Sequence, residues 1–246
     1  MTTEVRWLTL FLDVPEAGHE AAREFWSAAS GYGLSPSRGD DGEFATFLPP
    51  SGDAHLRLQR IGAWDFRVHL DLHVDHLDAA VEHAVAAGAE LIARPGHAVL
   101  RSPAGFVFCL VPAHGESRAA EPAEWDGHRS RPDQLAVDVA HDAWDREQRF
   151  WSDLTGWAVV PSSRPEFARL RTPAAFPVRI LLHRLGTGAT SGHLDLATDD
   201  RTAEVERLGR LGAVAAGGGP GWTVMTGPDG SAFCVTDRDP DTGLPR

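Results

Sequence analysis

The 246-residue sequence predicts an α+β protein made of two tandem copies of one domain, each built of two β-α-β-β-β modules. Three observations predict this. First, three motif blocks recur in one order at nearly one spacing. Phe25-Trp26-Ser27 with Gly31 returns as Phe150-Trp151-Ser152 with Gly156, an offset of 125. His69-Leu70-Asp71-Leu72 returns as His193-Leu194-Asp195-Leu196, an offset of 124. Ser102-Pro103-Ala104-Gly105 with Phe108-Cys109 returns as Gly227-Pro228-Asp229-Gly230 with Phe233-Cys234, again at 125. Second, the apolar periodicity of the first copy runs from strand-like to helix-like and back, twice. Third, residues 115–131 are rich in Gly, Pro, Ala and charge, which reads as a linker between copies at 1–114 and 132–246.

The first copy supplies the elements in order. Residues 7–14 alternate, with Leu8, Leu10 and Leu12 on one face and Trp7, Thr9, Phe11 and Asp13 on the other, which predicts a half-buried strand. Residues 16–30 follow as a helix with Phe25 and Trp26 on its core face, stopped by Gly31 and Gly33. Strands at 43–48 and 55–60 flank the turn Pro49-Pro50-Ser51-Gly52-Asp53. The pattern then restarts. A strand at 67–74 leads to Asp75 as an N-cap, and Leu77, Val81, Ala84 and Val85 form the stripe of a helix ended by Gly88. Strands at 89–92, 98–101 and 106–111 complete the module. Gly217-Gly218-Gly219-Pro220-Gly221 lacks the strand-to-helix setting of a nucleotide loop and reads as a flexible hairpin loop, usable as a lid.

Composition excludes several functions. There are 23 basic and 35 acidic side chains, a formal charge of −12, which argues against nucleic acid and anionic membrane partners. All the basic residues are Arg, so a lysine Schiff base and a lysine-bearing phosphate loop are ruled out. No apolar run approaches the roughly 20 residues that span a bilayer. The opening MTTEVRWLTLFLDVP lacks a basic leader and reads as a strand, not a signal peptide. With no export signal, Cys109 and Cys234 are expected to be reduced thiols in a cytoplasm.

Strand parity points to a polar face. In 67–74, Val68, Leu70, Leu72 and Val74 face the core, and His69, Asp71 and His73 face away. In the second copy Leu194 and Leu196 face the core while His193 and Asp195 do not. Leu135, Val137 and Val139 point inward, leaving Gln134 and Asp138 outward. Arg179 and His183 oppose Ile180 and Leu182, and Cys234 opposes Phe233 and Val235. Four strands of the second copy thus offer Gln134, His183, His193 and Cys234. The first copy offers Trp7, Gln59, His69 and Cys109.

These motifs resemble the vicinal oxygen chelate superfamily, the glyoxalase, bleomycin-resistance and extradiol-dioxygenase group. The resemblance implies tandem glyoxalase-like domains, each a curved sheet around a pocket formed by paired modules. It also implies one divalent ion held by strand side chains. By position these are Gln134, His183, His193 and Cys234 in the second copy. The first copy has Gln59, His69 and Cys109, with Trp7 where a ligand should be. Relatives commonly carry Glu on the last strand, and both copies here have Cys. Two His with Cys suit Zn²⁺, with Fe, Ni or Mn as alternatives, in the second domain. Asp195 and Asp71 are candidate general bases. Trp7, Phe11 and Trp64 suit a flat organic ligand, and Arg57 and Arg179 an anionic group on it. Competing readings stay open: the histidines could hydrogen-bond within a polar pocket, the cysteines could be small fillers, and the aspartates could cap loops or pair with Arg. The expected function is small-molecule binding with metal-dependent lyase, isomerase or dioxygenase chemistry. The alternative is a non-catalytic antibiotic-binding or resistance protein, and a homodimer is compatible with either.

Overall fold

The computed structural model describes residues 4–62 and 65–246, so Trp64 lies outside the described residues. The first half runs β1 (Val5–Pro15), α1 (His19–Ser30), β2 (Gly33–Leu34), β3 (Phe44–Leu48) and β4 (Leu56–Ile61). It continues with β5 (Arg67–Val74), α2 (Leu77–Ala86), β6 (Glu90–Ala93), β7 (Ala98–Arg101) and β8 (Val107–Pro112). A short β9 (Ala123–Glu124) precedes the second half: β10 (Arg129–Val139), α3 (Trp144–Thr155), β11 (Val159–Pro161), β12 (Phe167–Leu170) and β13 (Arg179–Arg184). Then come β14 (Ser191–Thr198), α4 (Arg201–Arg210), β15 (Val214–Gly219), β16 (Trp222–Thr226) and β17 (Ala232–Thr236). The β-α-β-β-β unit therefore occurs twice per half.

One sheet has the order β2-β3-β4-β1-β5-β8-β7-β6, and the other β11-β12-β13-β10-β14-β17-β16-β15, with β9 added beside β10. In both, the first strands of the two modules lie side by side at the centre. β5 and β8 pair in parallel, with Asp71 opposite Cys109. β14 and β17 do the same, with Asp195 opposite Cys234.

Local chemistry explains where the elements begin and end. Gly31 and Gly156 adopt φ of 74° and 72° and cap α1 and α3, each donating its N–H to the carbonyl of Ser27 or Ser152. The first helix starts later than its sequence pattern suggests, because residues 16–18 form a separate 3₁₀ turn. Asp75 does not cap α2. It accepts a hydrogen bond from Arg6 Nε at 2.8 Å, and His76 occupies the cap position without a side-chain bond. Its counterpart Asp200 does cap α4, accepting from the Ala203 N–H at 3.0 Å. The run Gly217–Gly219 lies in β15, and Pro220-Gly221 forms the turn into β16, so only the turn is loop. β1 is buried on both faces rather than one: Leu8, Leu10 and Leu12 are inaccessible, and so are Thr9 and Asp13. The polar side chains of that second face meet neighbouring strands. Thr9 Oγ1 meets His73 Nε2 at 2.9 Å, and Asp13 accepts from Arg67 Nε at 2.9 Å.

The chain divides into two compact units, each drawing on both halves. One comprises Met1–Leu10, His69–Arg118 and Leu135–Gly192, the other Phe11–Val68, Ala119–Gln134 and His193–Arg246. In the first unit Phe106, Phe108, Phe150 and Trp151 form an aromatic core. Buried Glu147 ties it together, accepting from Trp151 Nε1 and from the Ala104 N–H of the closing turn, both at 2.8 Å. Burial raises the Glu147 carboxyl above the usual range, against the opposing pull of those hydrogen bonds. The second unit has the matching core of Phe25, Trp26 and Phe233, where Asp229 accepts from Trp26 Nε1 at 3.0 Å. The first helix of each half thus rests on the closing turn of the other half.

Candidate metal centres

A His-x-Asp pair on a strand puts both side chains on one face, and a parallel neighbour can bring a third donor alongside. β14 supplies His193 and Asp195, and β17 brings Cys234 to the same ladder step. His193 Nε2 lies 3.3 Å from Asp195 Oδ1 and 3.5 Å from Cys234 Sγ. The three donor atoms all fall within 4.8 Å of one another. Asp195 is buried, and its Oδ2 accepts from Gln134 Nε2 at 2.6 Å. Its Oδ1 accepts no hydrogen bond. The His193 side chain keeps 21% exposure, so solvent reaches the cluster from that side.

The first half repeats the arrangement. His69, Asp71 and Cys109 again bring donors within 4.8 Å, with His69 Nε2 at 3.6 Å from Asp71 Oδ1. His73 continues the same strand face, bonded to Thr9 and 3.8 Å from Glu116. Donors about 2.0–2.3 Å from a tetrahedral ion are about 3.3–3.8 Å apart, the range in which the His193–Asp195, His193–Cys234 and His69–Asp71 separations fall.

The remaining sequence candidates fall elsewhere. Gln134 is at the second cluster, but as a hydrogen-bond donor to Asp195. His183 belongs to the other compact unit from His193, where its Nδ1 donates to Asp138 Oδ1 at 2.8 Å and its ring stacks on Phe167 at 4.7 Å. A carboxylate accepting from Nδ1 favours the Nδ1–H tautomer, with Nε2 as the lone-pair nitrogen. Arg179 donates to the carbonyls of Pro173 and Phe176 at 3.1 and 3.0 Å and so pins a loop. Trp7 is 1% exposed and Phe11 is also buried. Phe11 packs edge-on against Phe44 at 6.4 Å, with the Arg57 guanidinium 5.6 Å from its ring centre. Gln59 lies on β4 across from Phe44. Sequence reasoning singled out Asp71 and Asp195 as bases and not as members of the metal clusters, and it gave Asp138 no partner. The signal for the first was present, since His-x-Asp at period 2 puts both donors on one face.

With the fold and the paired His–Asp–Cys clusters in place, the family of the chain can be stated. The glyoxalase-like domain model matches residues 9–111 and 134–236, and the chain belongs to that family, within the vicinal oxygen chelate superfamily. The two matches are offset by 125, which puts Thr9, rather than Trp7, at the position of Gln134. No curated protein matches the sequence. Among solved structures, the Mn(II)-bound glyoxalase from Novosphingobium aromaticivorans is similar at 22% identity and TM-score 0.68, over 99% of this chain and 87% of that one. The 2,2',3-trihydroxybiphenyl 1,2-dioxygenase from the dibenzofuran-degrading Sphingomonas wittichii strain RW1 is similar at 17% and 0.63, over 96% and 90%. An extradiol ring-cleaving dioxygenase from B. fuscum is similar at 14% and 0.66, over 99% and 75%. At these identities the likeness is one of fold. Among the described residues no helix is long and apolar enough to cross a membrane.

Proposed function

We propose that the protein is a metal-dependent glyoxalase-like enzyme acting on a small organic molecule, with the second-half cluster as its working centre. His193, Asp195 and Cys234 would hold one divalent ion, and Gln134 would hold Asp195 in place. The observation that supports this reading most directly is the spacing of 3.3 and 3.5 Å about His193 Nε2, which matches the donor separation around a single ion. When bound, such an ion supplies Lewis-acid polarisation of a substrate oxygen, the shared need of lyase, isomerase and ring-cleaving chemistry. The chain contributes orientation: the Gln134 amide binds one carboxylate oxygen and turns the other toward the histidine. The charge of −12 and two cysteines outside any disulfide support a cytoplasmic small-molecule role without nucleic acid.

Protein purified without added metal should retain divalent metal, and His193→Ala should lose an equivalent of it. Metal-free protein whose stability ignores chelators would rule the reading out. A second reading, ligand binding without turnover, is favoured by half-buried Phe44 and Arg57, which pack on the buried Phe11 ring and offer an aromatic edge and a cation to a flat anionic ligand. It requires an aromatic ligand to quench tryptophan fluorescence stoichiometrically and be recovered unchanged; consumption of that ligand would refute it.

A further inference from the structure

We propose that Cys109 and Cys234 are metal-ligating thiolates, so that each half carries a His–Asp–Cys centre taking a thiophilic divalent ion, Zn²⁺ in preference to Mn²⁺. This rests on the metal-binding reading and adds to it the identity of the ion, the ligand that selects it, and a second centre at His69, Asp71 and Cys109.

Four observations carry the inference. The chain has only two cysteines, and they stand at equivalent positions 125 residues apart. Each sits at the same step of a parallel ladder, opposite Asp71 or Asp195, with its sulfur within 4.8 Å of a histidine nitrogen and a carboxylate oxygen. Neither forms a disulfide. Finally, Asp195 is buried with Oδ1 accepting no hydrogen bond. The whole donor set, a His-x-Asp strand with Cys on its parallel neighbour, is kept together in both copies of the repeat. A thiolate beside a buried carboxylate costs free energy unless a cation lies between them. A dication bound by all three donors offsets the charge of both anionic groups. Thiolate is a soft ligand that favours Zn²⁺ and its substitute Co²⁺, while Mn²⁺ prefers oxygen and is the weakest binder of the divalent series.

The test is a Co²⁺ titration of reduced, metal-free full-length protein, read as thiolate-to-cobalt charge-transfer absorption in the near ultraviolet. Two equivalents of Co²⁺ should develop the band. Cys109→Ser and Cys234→Ser should each halve it, and the double variant should abolish it. One equivalent of Zn²⁺ per site should bleach the band, and a roughly hundredfold excess of Mn²⁺ should not. On the unmutated protein, Zn²⁺ should protect both cysteines from iodoacetamide and Mn²⁺ should not, a readout that does not depend on the variants folding. Bound Co²⁺ without the band, or alkylation equally fast with and without Zn²⁺, would overturn the thiolate proposal and leave the metal-binding reading standing. Failure to bind any Co²⁺ would overturn both.

Discussion

Asp195 faces two neighbours at once: one oxygen takes the Gln134 amide at 2.6 Å, and the other faces His193. A hydrogen bond of this kind sets the direction of a ligating carboxylate, and losing it typically costs about 10–100-fold in metal affinity. Gln134→Ala is therefore expected to weaken Zn²⁺ binding by about that factor in a chelator competition while leaving the fold intact. Unchanged affinity would remove Gln134 from the site. His55 makes a different residue-scale prediction. Fully buried, it donates from Nε2 to the Pro132 carbonyl at 2.9 Å, and burial pushes its ring down to about 4 from the ordinary 6.5. The unfolded chain takes up this proton below pH 6.5, and the native chain only near pH 4. Stability is thus fully present above pH 6.5 and falls as the pH drops toward 4, by about 3 kcal/mol at about 1.4 per unit. Urea unfolding across that window should show the slope, and His55→Gln should flatten it. At this scale His193, Asp195, Cys234 and their first-half counterparts were legible from alternation, because period 2 assigns a side chain to a face. The bond of His183 to Asp138 was not, since parity puts both on a polar face but says nothing of which polar neighbour each meets.

The elements were legible wherever a local signal fixed them. Gly31 and Gly156 end helices because only glycine adopts their positive φ without strain. The burial of β1 on both faces was hidden, since alternation registers only the apolar side and Thr9 and Asp13 look like solvent-facing residues. Asp75 satisfied the sequence rule for a cap and was claimed instead by Arg6, a partner 69 positions away. Two predictions belong here. In β14, a Cβ on Gly192 would come within 2.7 Å of the buried Phe106 ring, so Gly192→Ala should cost about 1–3 kcal/mol in chemical denaturation. Asp229→Ala would strip the buried Trp26 indole of its acceptor and should cost about 1–3 kcal/mol. A variant as stable as the parent would show that the closing turn does not hold α1.

For the whole molecule, the internal repeat made the number of modules readable but not their packing. Module count follows from motif order along the chain. Which modules share a core follows from side-chain complementarity, such as Trp26 with Asp229 and Glu147 with Ala104, and no local pattern encodes that. Because each compact unit draws on both halves, residues 1–114 expressed alone would leave Phe25, Trp26 and Phe108 without Phe233, Phe150 and Trp151. That fragment should lack a cooperative unfolding transition, and a sharp transition would contradict the shared cores. The claim on which the functional account turns is that a divalent ion occupies the His193, Asp195 and Cys234 cluster. Metal analysis of the full-length protein purified without added metal, beside His193→Ala, tests it most directly. The parent should hold bound divalent metal and the variant one equivalent less; a parent without metal, or a variant with the same content, would contradict occupancy of this cluster.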